Sequence, residues 1–163
     1  MKQNFFSSNM LAGFLLILFA LILFSSFAKL QNSSTMAAKK IIQTDKAPKP
    51  IGPYSQAIVV NNMLYASGQV AIDPETNQTV TTDIETETRR VMQNVGAILE
   101  AGGINYSHII KTTIFLTDMN DFAKVNEVYG SFFSADFPAR ETVQVSRLPK
   151  DVHVEISVVA SME

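Results

Sequence analysis

An α+β fold, with two helices covering one face of a mixed β-sheet, is the architecture that residues 36–163 of this chain predict. Three observations carry that prediction. Two strand-like runs meet at Asn61-Asn62, a long amphipathic stripe occupies residues 83–101, and the apolar runs behind it follow in the order strand, helix, strand, strand.

Ala47-Pro48-Lys49-Pro50-Ile51-Gly52-Pro53 opens the domain as an extended, proline-stiffened segment in which helix is disfavoured. Residues 57–60 and 63–67 follow as strands, because the Asn pair between them tolerates the positive φ that a tight hairpin needs. Ser67-Gly68-Gln69 leads to a third run at residues 70–72, closed by a turn over 74–78. In the first helix, Thr82 and Glu85 form a capping box. Ile84, Thr88, Val91, Met92, Val95, Ile98 and Leu99 fall on one stripe at steps of three and four residues, and Gly102-Gly103 stops the helix as a left-handed cap. Residues 109–116, rich in β-branched side chains, read as a buried strand. After Asp118-Met119-Asn120 a second helix puts Phe122, Val125, Tyr129 and Phe132 on its apolar face, with Asn126 beside them. Residues 142–145 and 152–159 are the last two strands. Two helices cover little more than one face of such a sheet. The other face meets solvent, a ligand or another copy of the chain, so an oligomer is expected.

The chain has 163 residues, 47% of them hydrophobic, enough for one domain and an additional piece in front. Residues 3–28 contain no charged side chain, and residues 10–24 are almost wholly apolar, long enough for a signal-peptide core or, with their flanks, a membrane span. Lys2 supplies a positive start, and Ser26-Phe27-Ala28 is a small-x-small cleavage pattern. Cleavage after Ala28 exports the domain, retention anchors it to a membrane, and translation from Met36 leaves it in the cytosol. Residues 1–35 are therefore read as a hydrophobic leader and linker, a signal peptide, an anchor or an over-extended gene start. The absence of cysteine removes any disulfide framework and any thiol nucleophile. Setting aside Lys2 and Lys29 leaves 11 basic against 15 acidic groups, a net charge of −4 with histidines neutral. No Lys/Arg cluster exceeds a pair, which argues against nucleic acid as a partner.

Two residues stand out as chemistry. Arg140, behind Phe137-Pro138-Ala139, offers a planar fork of donors that matches a carboxylate two bonds at a time and stays charged at working pH. From residue 152 the sequence alternates, so Val152, Val154, Ile156 and Val158 point one way and His153, Glu155 and Ser157 the other. Glu155 therefore occupies the polar side of a strand whose other side is core. The alternative is that Arg140 and Glu155 pair with each other or with solvent. His108, His153 and Glu155 match no common ligand spacing, so no metal is expected.

Gly52-Pro53-Tyr54-Ser55-Gln56-Ala57, Ser67-Gly68-Gln69, Lys111-Thr112-Thr113, Asp121-Phe122 with Val125-Asn126, Pro138-Ala139-Arg140, and Leu148-Pro149 leading into Val154-Glu155-Ile156 together resemble the reactive intermediate/imine deaminase A family (RidA, formerly YjgF). The likeness covers residues 38–160 in order, which makes it specific where any one motif is weak. It implies a chorismate-mutase-like (RidA-like) fold assembled as a homotrimer, with a central β-barrel and sites in clefts between subunits. It also implies an activity: hydrolysis of 2-imino and 2-enamino acids, such as 2-iminobutanoate and 2-iminopropanoate, to 2-oxo acids and ammonia, with no cofactor or metal. By the same resemblance, Arg140 binds the substrate carboxylate and Glu155 positions or activates the attacking water. Tyr54, Ser67 and Asn126 line the pocket, and Gly68 and Thr142 contribute backbone groups near the substrate nitrogen and carboxylate. Thr142 stands where many members have cysteine. Glu141 is bulkier and more acidic than the small residue often found beside the clamp, and aimed into the cleft it would weaken anion binding.

The chemistry agrees with these assignments. Imine hydrolysis needs water at the sp² carbon, a proton for nitrogen and a fixed substrate, which a carboxylate and an arginine supply. Two other functions are consistent with the same clefts. Glu141 keeps alive a non-catalytic, ligand-binding or chaperone-like trimer, while a ribonuclease is opposed by the acidic balance.

Overall fold

The computed structural model describes residues 38–163 and, of the segment before them, Phe19 alone. The apolar run at residues 10–24, expected as a signal peptide or membrane anchor, lies outside the described residues. Among the described residues no helix is long and apolar enough to cross a membrane.

Six strands make one sheet: β1 (Lys40–Ile42), β2 (Ala57–Val60), β3 (Met63–Val70), β4 (Ile109–Leu116), β5 (Ala139–Gln144) and β6 (Val154–Ser161). Their order is β1-β2-β3-β6-β4-β5. All pairs are antiparallel except β4 with β5, so the sheet is mixed, as expected. Helices α1 (Ile84–Gly102) and α2 (Phe122–Gly130) close one face. There Leu64 of β3, Ile114 and Leu116 of β4, and Val154, Ile156 and Val158 of β6 are buried with Val91, Met92, Val95, Ile98 and Leu99 of α1 and Val125 of α2. Burying each of these side chains contributes about 1.5–3 kcal/mol before entropy is counted.

Local chemistry explains where the elements begin and end. Asn61 and Asn62 take φ of 50° and 58°, the left-handed pair that turns β2 into β3. Gly103 caps α1 at φ 84°. The other end departs from expectation by one residue. Asp83, not Thr82, is the N-cap, its carboxylate accepting from Thr86 N at 2.7 Å and from Thr86 Oγ1 at 2.8 Å. A full negative charge at the helix start also interacts favourably with the helix dipole, which a threonine hydroxyl does not. The expected third strand at residues 70–72 is instead the end of β3 followed by a single bridge from Ile72 to Thr79. The turn beyond it is organised by the Asp73 carboxylate, which accepts from Glu75 N and Thr76 N. β1, only three residues long, is too short for alternation to reveal. Strand β5 begins at Ala139, earlier than the predicted 142, and so includes Arg140.

Among the described residues one charged side chain is built into the core. Glu87, in the first turns of α1, is 1% exposed and accepts from His153 N at 2.6 Å, Val154 N at 3.1 Å and His153 Nδ1 at 2.9 Å. It ties the start of β6 to the start of α1.

Candidate active site

Glu155 sits on the open face of the sheet, near the start of β6, where the alternation read from sequence holds: Val154, Ile156 and Val158 are buried behind it. Opposite Glu155, strand β3 is bulged. Its pairing with β6 moves from Ala66↔Val158 to Gln69↔Ile156, so Ser67-Gly68 carries one extra residue. The bulge makes room for the carboxylate. A Cβ on Gly68 would lie 1.8 Å from Glu155 Oε1, so only glycine lets the acid occupy this position. The segment around Tyr54 folds onto the same place. Ser67 Oγ donates to Ser55 O at 2.7 Å and Ser67 N to Gln56 O at 2.9 Å. Gln56, 2% exposed, shapes the proline-rich stretch from below, accepting from Thr44 N and donating to Thr44 O, Ala47 O and Pro48 O.

The result is a cavity of about 250 Å³ in which Ile51, Tyr54, Ser67, Gly68, Val70 and Glu155 meet, with Pro149 at its edge. Burial raises the Glu155 pKa above its ordinary 4.5. Among the described residues its carboxylate has neither an ion-pair nor a hydrogen-bond partner. Tyr54 Oη accepts from Ile51 N at 3.2 Å, which leaves the phenolic proton to donate elsewhere. The Ser67 hydroxyl, already donating, is left as an acceptor. Gly68→Ala is expected to displace the Glu155 carboxylate from this cavity, which a crystal structure of the variant checks.

Arg140 occupies a different place. On edge strand β5 it lies opposite Thr112 of β4, and its guanidinium stands over the rings of Tyr129, at 5.1 Å, and Phe122, at 5.8 Å. It opens into a cavity of about 380 Å³ lined by Asn126, Tyr129, Gly130, Phe137 and Pro138. Among the described residues Arg140 makes no ion pair, so its donor fork is free for an anion. Asn126 Oδ1 and Thr142 Oγ1 are buried without a hydrogen-bond partner. Thr142 follows Arg140 by two residues and lies on the same face. Glu141 points the other way. It pairs with Lys111 and accepts from Thr113 Oγ1 at 2.7 Å, and these contacts hold its pKa down. The feared carboxylate in the cleft beside Arg140 is absent from that side.

The two expected partners are therefore separated within one chain. Arg140 is in register with Thr112, whose side chain is buried on the helix face, whereas Glu155 is in register with Phe115 on the open face. They project from opposite faces of the sheet and sit three residues apart along β4, roughly 10 Å. They do not pair with each other, and one imino acid cannot touch both in a single copy. Tyr54, Ser67 and Gly68 gather around Glu155, Asn126 and Thr142 around Arg140. Sequence reading missed Ile51, Val70, Pro149 and Phe137 as cavity walls and took Tyr129 for core alone. Among the described residues no group of three or more His, Asp or Glu is arranged to hold a metal ion.

The sequence profile of the endoribonuclease L-PSP family matches residues 44–162. The chain belongs to this family. The human protein named 2-iminobutanoate/2-iminopropanoate deaminase is 44% identical over 122 residues, which span 75% of this chain and 89% of that protein. The solved YjgF gene product of E. coli superposes with a TM-score of 0.73 at 45% identity, covering 76% of this chain and 99% of that one. E. coli TdcF, solved with bound serine, matches with the same score, identity and coverage. The resemblance to RidA (YjgF) proteins is borne out, as is the α+β fold of a mixed sheet with two helices on one face.

Proposed function

We propose that this chain hydrolyses reactive 2-imino and 2-enamino acids to 2-oxo acids and ammonia, in sites completed between copies of itself in a homotrimer. The observation that carries this is the free Arg140 fork on one face and the partnerless, pKa-raised Glu155 on the other. Each is half of a site. The 44% identical human relative bears a deaminase name for this chemistry, and the structure of TdcF, a relative at 45%, holds a small amino acid. The open sheet face, with Ile41 58%, Tyr65 43% and Val143 44% exposed, offers apolar surface for neighbouring copies to cover.

In the completed site, Arg140 of one copy fixes the substrate carboxylate while Glu155 of the next holds a water beside C2 of the C=N bond. The water oxygen bonds to C2 as Glu155 takes its proton, while the C=N π electrons pass to nitrogen and a solvent proton neutralises it, giving a carbinolamine. Glu155 then gives its proton to nitrogen as the C–N bond breaks and the hydroxyl, losing its proton to solvent, becomes C=O, so ammonia leaves and the 2-oxo acid remains. The raised pKa suits this exchange, since a carboxyl that both accepts and donates works best when its pKa approaches the working pH. Tyr54 offers its free phenolic proton to the substrate. Glu141, bound to Lys111 and Thr113, leaves the binding-only reading without its motivating feature.

Purified protein added to a threonine dehydratase and threonine is expected to accelerate 2-oxobutanoate release beyond the spontaneous rate. An unchanged rate overturns the proposal.

A further inference from the structure

We infer that Tyr129 is a positioning residue that holds Arg140 ready, with Thr112 as its anchor in the sheet. Tyr129 lies on α2 and is only 3% exposed, yet one face of its ring meets the guanidinium 5.1 Å away. Its hydroxyl and Thr112 Oγ1 are 3.0 Å apart, a buried hydrogen bond. Thr112 is itself the residue directly across from Arg140 in the β4–β5 ladder. The phenol is thus pinned to the strand beside the clamp, and its ring is fixed where the guanidinium lies. Phe122, two turns earlier on α2, supplies a second ring at 5.8 Å.

The choice of rings rather than an acid has a chemical reason. A carboxylate partner would hold Arg140 more tightly but would occupy the donors the substrate needs. An aromatic face attracts the cation through its quadrupole and takes none of the edge donors. Among the described residues strand β5 is an edge of the sheet, paired only with β4, so no second strand there braces the long Arg140 side chain. Tyr129 supplies that brace from the helix layer.

This inference rests on Arg140 binding the substrate carboxylate, and the test separates the two ideas. Tyr129→Leu removes the ring, and Tyr129→Phe keeps the ring while losing the Thr112 bond. With 2-iminobutanoate generated in situ, Leu is expected to raise KM about tenfold with kcat within a few-fold of wild type, and Phe, which keeps the ring but loses its anchor, to raise KM about threefold. The Arg140 Nε–Hε resonance, assigned by its loss in Arg140→Lys, is expected furthest upfield from ring current in wild type, less so in Phe, and downfield in Leu. If Leu does not fold, Phe122→Leu, at the more exposed ring, is expected to show a smaller change of the same kind. A folded Leu variant with wild-type KM and an unmoved resonance overturns the inference and leaves the deaminase proposal standing. A wild-type protein without deaminase activity overturns the proposal instead, and the resonance still decides whether Tyr129 holds Arg140.

Discussion

Mixing two inactive chains, Arg140→Ala and Glu155→Gln, is expected to restore activity. Each substitution alone should lower kcat/KM about 100-fold or more, because on the proposed mechanism one removes the carboxylate anchor and the other the proton carrier. If both groups served one site inside a single chain, every chain in the mixture would stay defective. They do not share a face: Arg140 stands with Thr112 on the helix side and Glu155 with Phe115 on the open side. A site between copies, as proposed, takes its arginine from one chain and its acid from the next, so every trimer that contains both variants keeps one complete site of its three. Co-expression with two different affinity tags, purification of the doubly tagged assembly and a dehydratase-coupled assay measure this. Mixed assemblies no more active than either parent would overturn the inter-subunit site.

The same glutamate sets an expected pH response. Its folded pKa is raised by burial, so in the folded chain it keeps its proton to higher pH than in the unfolded one. Its contribution to stability is complete below the unfolded value and is lost as pH rises through the folded one. Glu155→Gln should therefore gain stability relative to wild type at neutral pH and lose that advantage below the ordinary 4.5. On the proposed mechanism activity falls on the acid side, as Glu155 is protonated and can no longer accept the proton of water.

The largest effect on folding is expected at Glu87. Its carboxylate accepts from two successive backbone N–H groups, those of His153 and Val154, and from the His153 ring, in a place with almost no access to water. Glu87→Leu leaves those amides without an acceptor and is expected to cost about 3 kcal/mol. Urea unfolding should show a lower midpoint with little change in slope. Glu87→Gln, which retains one acceptor oxygen, should fall between. Because these bonds fix the first residues of β6, the Leu variant should also lose activity through a displaced Glu155, two residues on. A midpoint equal to wild type would remove Glu87 as the link between α1 and β6.

Residue types were legible in the sequence where their physics is local. The Asn61-Asn62 turn, the stripe from Ile84 to Leu99, the Gly103 cap and the outward side of Glu155 all follow from neighbours within a few positions. What escaped depends on distant partners. Glu87 finds its donors 66 and 67 residues away, and Gln56 its partners across the proline segment. That Arg140 and Glu155 face apart could not be read, because it follows from β4 lying between β5 and β6, a pairing order no periodicity encodes. Tyr129 looked like an ordinary apolar-stripe residue. Its ring serves Arg140, and only the β4–β5 register reveals this.

The opposed directions of Arg140 and Glu155 carry a genetic consequence. In a ring of three assembled as proposed, every chain lends its cation to one reaction centre and its acid to another, so a copy damaged at both positions silences two centres of the three. A defective allele expressed beside a sound one should thus reduce output by more than its share of the protein.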